Sequence, residues 1–284
     1  MFVSELADIR LAFLKMRETG LTEGPRMFDE GSIETRGARS IYGQLRSRFT
    51  EIVDRNRLWS EEVKVTVKSP IESIGAPKRE DFPLLKGKER IVEARFKDAC
   101  GQAFTDAYVD FSGTLGEVLN LNTQDNENRA VYIATINAVM KQLVLVKGTV
   151  HCRDEEPELC SKGLADHISR SFGNPRVALI GYQPAMVESL SQRFRIQVTD
   201  LNSENIGKVR SGVKILNGET DLERVVEWCD LVLATGSTVV NGTIERIIKA
   251  AEGKPLIFYG ITIAGPAEIL GLNRFCIKTI EQST

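Results

Sequence analysis

The sequence predicts an α/β protein with two different halves: an N-terminal α+β half and a C-terminal, Rossmann-like half built around a parallel sheet. The pattern changes near Lys147. Before it, segments such as VKVTVK (63–68) alternate apolar and polar residues, which is typical of strands with one solvated face. After it, short apolar runs such as VALI (177–180) alternate with amphipathic helices, which indicates parallel strands covered on both sides. We therefore predict two domains, residues 1–150 and 151–284.

The N-terminal half is predicted to begin with a helical extension over residues 1–60, with helices near 1–20 and 38–58. Apolar residues recur at helical spacing in both segments. Two strands then form a hairpin that is expected to turn near Cys100-Gly101. A long helix over 128–143, which contains the sequence ATINAV, completes this half.

The C-terminal half is predicted to carry polar residues at the carboxyl ends of four strands. In an open parallel sheet, ligands bind at these ends. Each predicted strand runs into a segment rich in glycine and small polar residues: IGYQP (180–184), VTDLNSEN (198–205), ATGSTVVNGT (234–243) and YGITIAGP (259–266). The candidate ligand-binding residues of the first and last segments are Gly181, Tyr182, Pro184 and Gly260.

The third segment has the strongest physical reason to bind a ligand. It offers hydroxyls and backbone N–H groups just before a helix, where free N–H groups favour an anion or a polar oxygen. The same residues can also serve turn formation and helix capping with no ligand at all, and Asn241 is placed to cap the helix. The candidate residues are Thr235, Gly236, Ser237, Thr238, Asn241, Gly242 and Thr243.

The first two segments suggest a ribose or another hydroxylated ligand. The sequence GYQPAM (181–186) has one glycine, so the G-x-G-x-x-G dinucleotide grip is missing. Asp200 follows Gly181 by about twenty residues, where dinucleotide-binding domains place an acidic ribose partner. A nucleoside cofactor such as S-adenosylmethionine is therefore an alternative ligand. Asp200 can instead begin a turn with Asn202 and Ser203.

The segment HCRDEEPELC (151–160) combines an imidazole, two thiols and several carboxylates, which are transition-metal ligand types. Its spacing differs from that of structural zinc sites, which pair cysteines about two to four residues apart. Cys160 is expected near the start of a helix, where the dipole favours a thiolate. An acidic loop with an ordinary buried cysteine is the alternative. The candidate metal ligands are His151, Cys152, Glu155, Glu156 and Cys160.

Composition narrows the range of functions. The net charge of −2 gives no electrostatic case for a nucleic-acid partner, and we expect no membrane partner because no apolar run approaches the ~20 residues that span a bilayer. Five cysteines in a chain of 284 residues do not suggest a disulfide framework, so a cytoplasmic location is expected. Two histidines, with no G-x-S-x-G elbow and no Walker loop, leave catalytic residues unassigned.

The chain resembles the two-domain family described as heavy-metal chelation domain proteins, which are also classed as proteins of unknown function. The resemblance is carried by ATGSTVVNGTIE, VALIGYQP, ATINAV, HCRDEEPELC and FKDACGQAFTDAYVDFSG, and it covers roughly residues 90–284. It implies an N-terminal half like the enolase N-terminal domain, joined to an atypical Rossmann-like half. The helical extension is long for this family and is a candidate surface for homo-oligomer formation.

The resemblance implies a site in the cleft between the halves, with Asn137 of the long helix facing the strand ends. We therefore expect a protein that binds a small molecule or a transition or heavy metal there, with its enzymatic activity left open. A binding enzyme for an S-adenosylmethionine-like nucleoside is one alternative. A non-catalytic assembly protein is the other.

Overall fold

The computed structural model describes residues 40–280 of the chain. The helix predicted near residues 1–20 lies outside the described residues. The described part contains a four-stranded antiparallel sheet and a seven-stranded sheet that is mostly parallel. The predicted mixed α/β class, with a parallel sheet in the C-terminal half, is confirmed.

The N-terminal half is an antiparallel sheet with helices packed around it. Its strands are β1 Glu62–Lys68, β2 Arg90–Phe96, β3 Ala99–Thr105 and β4 Phe111–Thr114, in the order β3-β2-β1-β4. Its helices are α1 Ile41–Arg55, α2 Pro70–Ile74, α3 Pro83–Lys86, α4 Leu115–Leu119 and α5 Asn126–Gln142. Both α2 and α4 begin with a capping box, in which a serine or threonine and the glutamate three residues later bond each other's backbone.

The β2–β3 hairpin turns earlier than the sequence predicted. Phe96 pairs with Ala99, so the turn lies at Lys97 and Asp98, and Lys97 adopts a left-handed φ of 51°. Cys100 and Gly101 lie within strand β3 instead. A Cβ atom on Gly101 would lie 2.1 Å from the backbone nitrogen of Ala138 in α5. The glycine is therefore required by close packing of a helix on the strand and not by a turn.

Helix α5 is the central element of the molecule. All its residues from 129 to 140 are buried, because it packs on β2 and β3 on one side and on helices of the C-terminal half on the other. Because no face of this helix is exposed to solvent, nearly all of its side chains are apolar or small. The two halves are therefore in direct contact along α5.

The C-terminal half has the strand order of a Rossmann fold. Its strands are β5 Val177–Ile180, β6 Ile196–Asp200, β7 Val209–Arg210, β8 Val213–Asn217, β9 Leu231–Thr235, β10 Leu256–Tyr259 and β11 Arg274–Phe275. They are arranged β11-β10-β9-β5-β6-β8-β7, and β7 is antiparallel to β8. The chain starts at β5, builds outward through β6 and β8, and then crosses to β9 on the other side. The order therefore reverses between β5 and β9.

The helices of this half are α6 Glu156–Phe172, α7 Pro184–Ser191, α8 Leu222–Trp228, α9 Thr238–Asn241, α10 Ile244–Ala250, α11 Ala264–Leu270 and α12 Ile277–Ile280. Gly173 ends α6 with a φ of 71°, and Pro184 is the first residue of α7, both as the sequence predicted. The β7–β8 hairpin, α9, α11 and α12 were not predicted.

One apolar cluster extends through both halves. It joins Phe49 and Val65 of the N-terminal half to Ile133 of α5 and to Val232 and Ile263 of the C-terminal half. A second cluster fills the other face of the parallel sheet. Among residues 40–280, no helix has both the length and the apolar character needed to cross a membrane.

Candidate functional site

The reversal point of the parallel sheet lies between the predicted ligand-binding segments. Strand β5 ends at Ile180 and is followed by Gly181, whose φ is 94°, and the neighbouring β9 ends at Thr235. A Cβ on Gly181 would lie 2.6 Å from Cγ2 of Thr235, so only glycine fits there. The Tyr259 hydroxyl at the end of β10 donates to the Gly181 carbonyl at 3.0 Å. The structure therefore brings the first, third and fourth predicted segments together.

The hydroxyls that follow β9 mostly bond one another. The Thr235 and Ser237 hydroxyls lie 3.1 Å apart, and the Thr238 hydroxyl donates to the Thr235 carbonyl at 2.9 Å. Gly236 has a packing role, because a Cβ there would lie 2.8 Å from the backbone nitrogen of Ile263. Of this group, Thr235 and Ser237 are half-buried and Thr238 is buried. Much of the polarity of this segment is thus used to build its own turn.

Asn241, Gly242 and Thr243 form the link between α9 and α10. The Asn241 side-chain oxygen accepts from the Thr243 backbone N–H at 3.1 Å and from its hydroxyl at 2.7 Å, just before α10 begins. Gly242 has a φ of 86° and faces the guanidinium of Arg129 from α5. That guanidinium donates to the Val240 carbonyl at 2.5 Å. This link therefore serves turn formation and contact between the halves.

Asp200 ends strand β6 and organises the turn that follows. Its Oδ1 accepts from the Asn202 N–H at 3.0 Å. Its Oδ2 accepts from Asn205 Nδ2 at 3.0 Å and from the Tyr182 N–H at 3.3 Å. The carboxylate thus ties the β6 tip to the β5 tip and remains half-buried. The turn with Asn202 is formed as the alternative interpretation predicted, and the ribose role stays a prediction.

A carboxyl group from the other half, which the sequence did not single out, interacts electrostatically with these tips. Glu89, just before β2, is half-buried. Burial, with Asp200 and Asp106 close by, raises the pKa of Glu89 to about 7. Burial and Asp200 also raise the pKa of Tyr259, which remains a neutral hydroxyl. No local motif marks Glu89, because the group becomes unusual only when the two halves meet.

Asn137 has a role in the structure that differs from its predicted one. It is fully buried. Its Nδ2 group donates to the carbonyls of Gln102, Ile261 and Thr262, and its Oδ1 accepts from the Gly265 N–H at 2.7 Å. Both amide hydrogens and the oxygen are therefore engaged. Asn137 joins the two halves and offers no free hydrogen-bonding group to a ligand.

The predicted metal ligands divide into two groups. The two glutamates belong to surface ion pairs, because Glu155 contacts Lys78 and Glu156 contacts Lys278 at 2.8 Å. His151 is held by its backbone, whose N–H donates to Gln102 Oε1 at 2.8 Å. Burial lowers the pKa of His151 to about 4, and Nδ1 has no hydrogen-bond partner among the described residues. The imidazole is therefore neutral, as a metal ligand must be.

The two thiols influence each other's pKa. Interaction with Cys160, together with burial, raises the pKa of Cys152, whereas interaction with Cys152 lowers the pKa of Cys160 to about 7, helped by the Ile277 N–H. Arg274 and Lys278 add positive charge nearby. A third cysteine, Cys276, lies beside this pair, and the sequence did not place it there. Cys160 is in the second turn of α6, close to the predicted position.

Within residues 40–280, no group of three or more histidine, cysteine, aspartate or glutamate side chains is arranged to hold a metal ion. The five residues predicted to bind a metal therefore do not form a ligand set in the described structure, although the two thiols among them interact. Gly260, the remaining candidate, has a φ of 96°, and its carbonyl accepts from Arg274 Nε at 2.9 Å. Arg274 thus links the fourth strand tip to the thiol group.

Residues 164–270 match the family described as "Putative heavy-metal chelation" (DUF364). The match covers most of the parallel-sheet half and includes the tips of β5, β6, β9 and β10. The predicted family resemblance is confirmed. Among curated proteins, no sequence matches this chain.

Two solved structures of DUF364 proteins of unknown function are similar to this chain. The one from Pyrococcus horikoshii is 18% identical, with a TM-score of 0.48, and the alignment covers 78% of this chain and 80% of that chain. The one from Desulfitobacterium hafniense is 12% identical, with a TM-score of 0.44, and the alignment covers 64% of this chain and 72% of that chain.

Proposed function

We propose that this chain, whose residues 164–270 match the heavy-metal chelation family DUF364, binds a small polar ligand at the carboxyl edge of its parallel sheet. One observation supports this most directly: the strand order reverses between β5 and β9, where open sheets of this kind bind their ligands. Glu89 of the other half interacts electrostatically with Asp200 at the same edge. The ligand would lie in the cleft between the halves.

The charges at this edge favour a particular class of ligand. Glu89 and Asp200 present carboxyl oxygens, while no cluster of glycine N–H groups is available for a pyrophosphate. A hydroxylated ligand that is neutral or positively charged suits such an edge better than a phosphorylated one. S-adenosylmethionine, a ribose compound with a positively charged sulfur, fits this description. Glu89, with a pKa of about 7, could exchange a proton with the ligand near neutral pH.

Titration calorimetry with S-adenosylmethionine, S-adenosylhomocysteine and NAD tests this proposal. We expect heat with S-adenosylmethionine, less with S-adenosylhomocysteine, whose sulfur is uncharged, and none with NAD. Glu89→Gln should weaken binding at least roughly tenfold, the equivalent of about 1.4 kcal/mol. Glu252→Gln, an exposed position away from the edge, is the matched control and should bind as the parent does. Absence of heat with all three compounds would reject the nucleoside assignment.

Binding of a soft metal ion is the second candidate function. The mutual influence of Cys152 and Cys160 on their pKa values favours it, because thiolates select soft ions such as Cu(I), and the family description points the same way. The five cysteines, all within residues 40–280, form no disulfide, which suits a reducing cytoplasm. Elemental analysis of reduced protein purified without a His tag should find a metal at stoichiometric amounts. The double variant Cys152→Ser/Cys160→Ser should lose it, whereas Cys229→Ser should keep it.

A further inference from the structure

A crevice lies on one face of the parallel sheet, on the side that carries β6 and β8. Residues of these two strands and of helix α8 line it, and its volume is about 350 Å³. Small-molecule sites usually have volumes of roughly 300–1,000 Å³. Ile196 and Val213, which line the crevice, are the first residues of β6 and β8, whereas the ligand proposed above lies at the carboxyl ends of the strands. The crevice is therefore a separate candidate site.

Gln197 of β6 and Lys214 of β8 lie side by side in this crevice. Val198 pairs with Ile215 in the parallel ladder, and Gln197 and Lys214 each precede that pair by one residue. Val198 and Ile215 belong to the apolar cluster on the opposite face of the sheet, so the alternation of side chains directs Gln197 and Lys214 into the crevice. Arg224 lines it from α8, which packs against β5 and β6.

The Gln197 side chain has an unused hydrogen-bond acceptor. Within residues 40–280, its Oε1 atom is buried and has no hydrogen-bond partner. The Thr199 hydroxyl, the next polar group along this face of β6, is also buried and lacks a partner, so the two groups do not bond each other. A buried acceptor without a donor is unfavourable, and a ligand that supplies a hydrogen to it is therefore favoured.

The charged groups at the crevice suit a single negative charge. Lys214 and Arg224 are the two cations that line it. The Arg224 guanidinium is also paired with Asp221, at 2.7 Å between Nη2 and Oδ1. One carboxylate beside two cations leaves one positive charge, which a monocarboxylate balances and a doubly charged phosphate exceeds.

The remaining wall of the crevice is apolar. Leu216 lies two residues after Lys214, on the same face of β8, and packs against the apolar cluster that joins the two halves. The hydrocarbon stems of Lys214 and Arg224 add to this surface. A short apolar chain would be buried here without leaving a polar group unpaired.

We propose that this crevice binds a small hydroxy acid, a molecule with one carboxylate, a hydroxyl beside it and a short apolar chain. The carboxylate lies between Lys214 and Arg224. The hydroxyl donates to Gln197 Oε1, and the apolar chain contacts Leu216. The geometry requires the hydroxyl to be close to the carboxylate, because Gln197 and Lys214 are neighbours across the β6–β8 ladder.

Titration calorimetry with three related compounds tests each contact. They are leucic acid, which has all three groups; isocaproic acid, which lacks the hydroxyl; and leucic amide, which lacks the negative charge. We expect saturable heat with leucic acid, affinity at least roughly tenfold lower for isocaproic acid, and no heat with leucic amide.

Two variants assign the contacts to their residues. In Gln197→Leu, leucic acid and isocaproic acid should bind with equal affinity, because the acceptor that distinguishes them is gone. The change removes an unpaired buried oxygen, so the variant should fold as the parent does. Lys214→Gln should weaken binding of leucic acid at least roughly tenfold. Lys162→Gln is the matched control, since Lys162 is an exposed lysine of α6, the helix that covers the opposite face of the sheet, and it should bind as the parent does.

Three results would overturn the assignment. They are absence of heat with leucic acid, equal affinity of the parent for the two acids, and a loss of affinity in Lys162→Gln that matches the loss in Lys214→Gln. Glu89→Gln should leave binding of leucic acid unchanged, because Glu89 belongs to the site at the sheet edge. Failure of the S-adenosylmethionine titration and failure of the leucic acid titration can therefore be told apart.

Discussion

At the scale of single residues, Glu89 is a carboxyl group whose pKa rises well above its ordinary value when the chain folds. Its carboxyl is half-buried where the two halves meet, with Asp200 and Asp106 nearby. Taking a carboxylate out of water and placing it near two others both favour the protonated form. The folded protein therefore holds a proton on Glu89 at pH values where the unfolded chain has released it.

This proton makes stability depend on pH. The pKa rises from the ordinary 4.5 to about 7 on folding, so ionisation favours the unfolded chain between these values and stability falls as pH rises through that window. Glu89→Gln should remove the free-energy cost of ionising this carboxyl in the folded protein. We expect a gain on the order of 1–3 kcal/mol at about pH 8 and little difference at about pH 4. Urea denaturation at both pH values measures it.

The control for this experiment is Glu252→Gln, because Glu252 is exposed. It should alter stability by roughly the same small amount at both pH values. Equal stability of Glu89→Gln and the parent at the higher pH would show that the carboxyl is not under strain in the folded protein.

At the scale of elements, the closest approach in the N-terminal half is that of α5 to β3. Gly101 permits it, since any side chain there would meet the backbone of the helix at Ala138. The sequence suggested a turn at this glycine, which was wrong, because a glycine that permits close packing and one that permits a turn are identical in the sequence.

Gly101→Ala should therefore be severely destabilising. The added methyl group must push the backbone of α5 off the sheet, and we expect a loss of more than about 3 kcal/mol of unfolding free energy. Gly163→Ala is the matched control. Its Cβ would lie 3.0 Å from Cδ1 at the flexible end of Ile277 and 3.7 Å from the Phe275 ring, and alanine is the better helix former by about 1 kcal/mol. Thermal denaturation of both variants, with the parent, measures the difference; similar midpoints for the two variants would contradict the close-packing explanation.

Elements with a clear repeating pattern could be predicted from the sequence, and the others could not. The tips of β5, β6, β9 and β10 follow from apolar runs that end in glycine or aspartate, and Pro184 and Gly173 mark helix boundaries. The β7–β8 hairpin is too short to show a period. Glu89 and Cys276 gain their surroundings from residues far away in the sequence, so no local signal identifies them.

At the scale of the whole molecule, one apolar cluster and a set of polar contacts join the two halves. The side chains of Asn137 and Arg129 on α5 donate hydrogen bonds to backbone carbonyls of the C-terminal half, and Arg274 of the C-terminal half donates to the segment that follows α5. Because the apolar cluster is continuous, we expect the described part of the chain to unfold in one cooperative transition.

Asn137→Ala tests this coupling. The variant leaves several buried carbonyls and one N–H without a partner, which should cost roughly 2–4 kcal/mol. Calorimetry should show one transition that moves to lower temperature as a whole. Gln192→Ala, at an exposed helix end, should leave the transition within about 0.5 kcal/mol of the parent. Two separate transitions in Asn137→Ala would mean that the halves fold independently.

The Tyr259 hydroxyl limits which hydrogen-bonding groups are open to a ligand at the sheet edge. Because this phenol stays protonated and donates to Gly181, the carbonyl at the tip of β5 is already occupied. The Asp200 oxygens at this edge already accept from Tyr182, Asn202 and Asn205. Glu89 carries a proton below about pH 7 and is a carboxylate above it. A ligand bound beside Glu89 would therefore meet a hydrogen-bond donor at lower pH and an acceptor at higher pH, so we expect binding of a hydroxyl-rich or amine-rich molecule to strengthen as the pH rises through about 7.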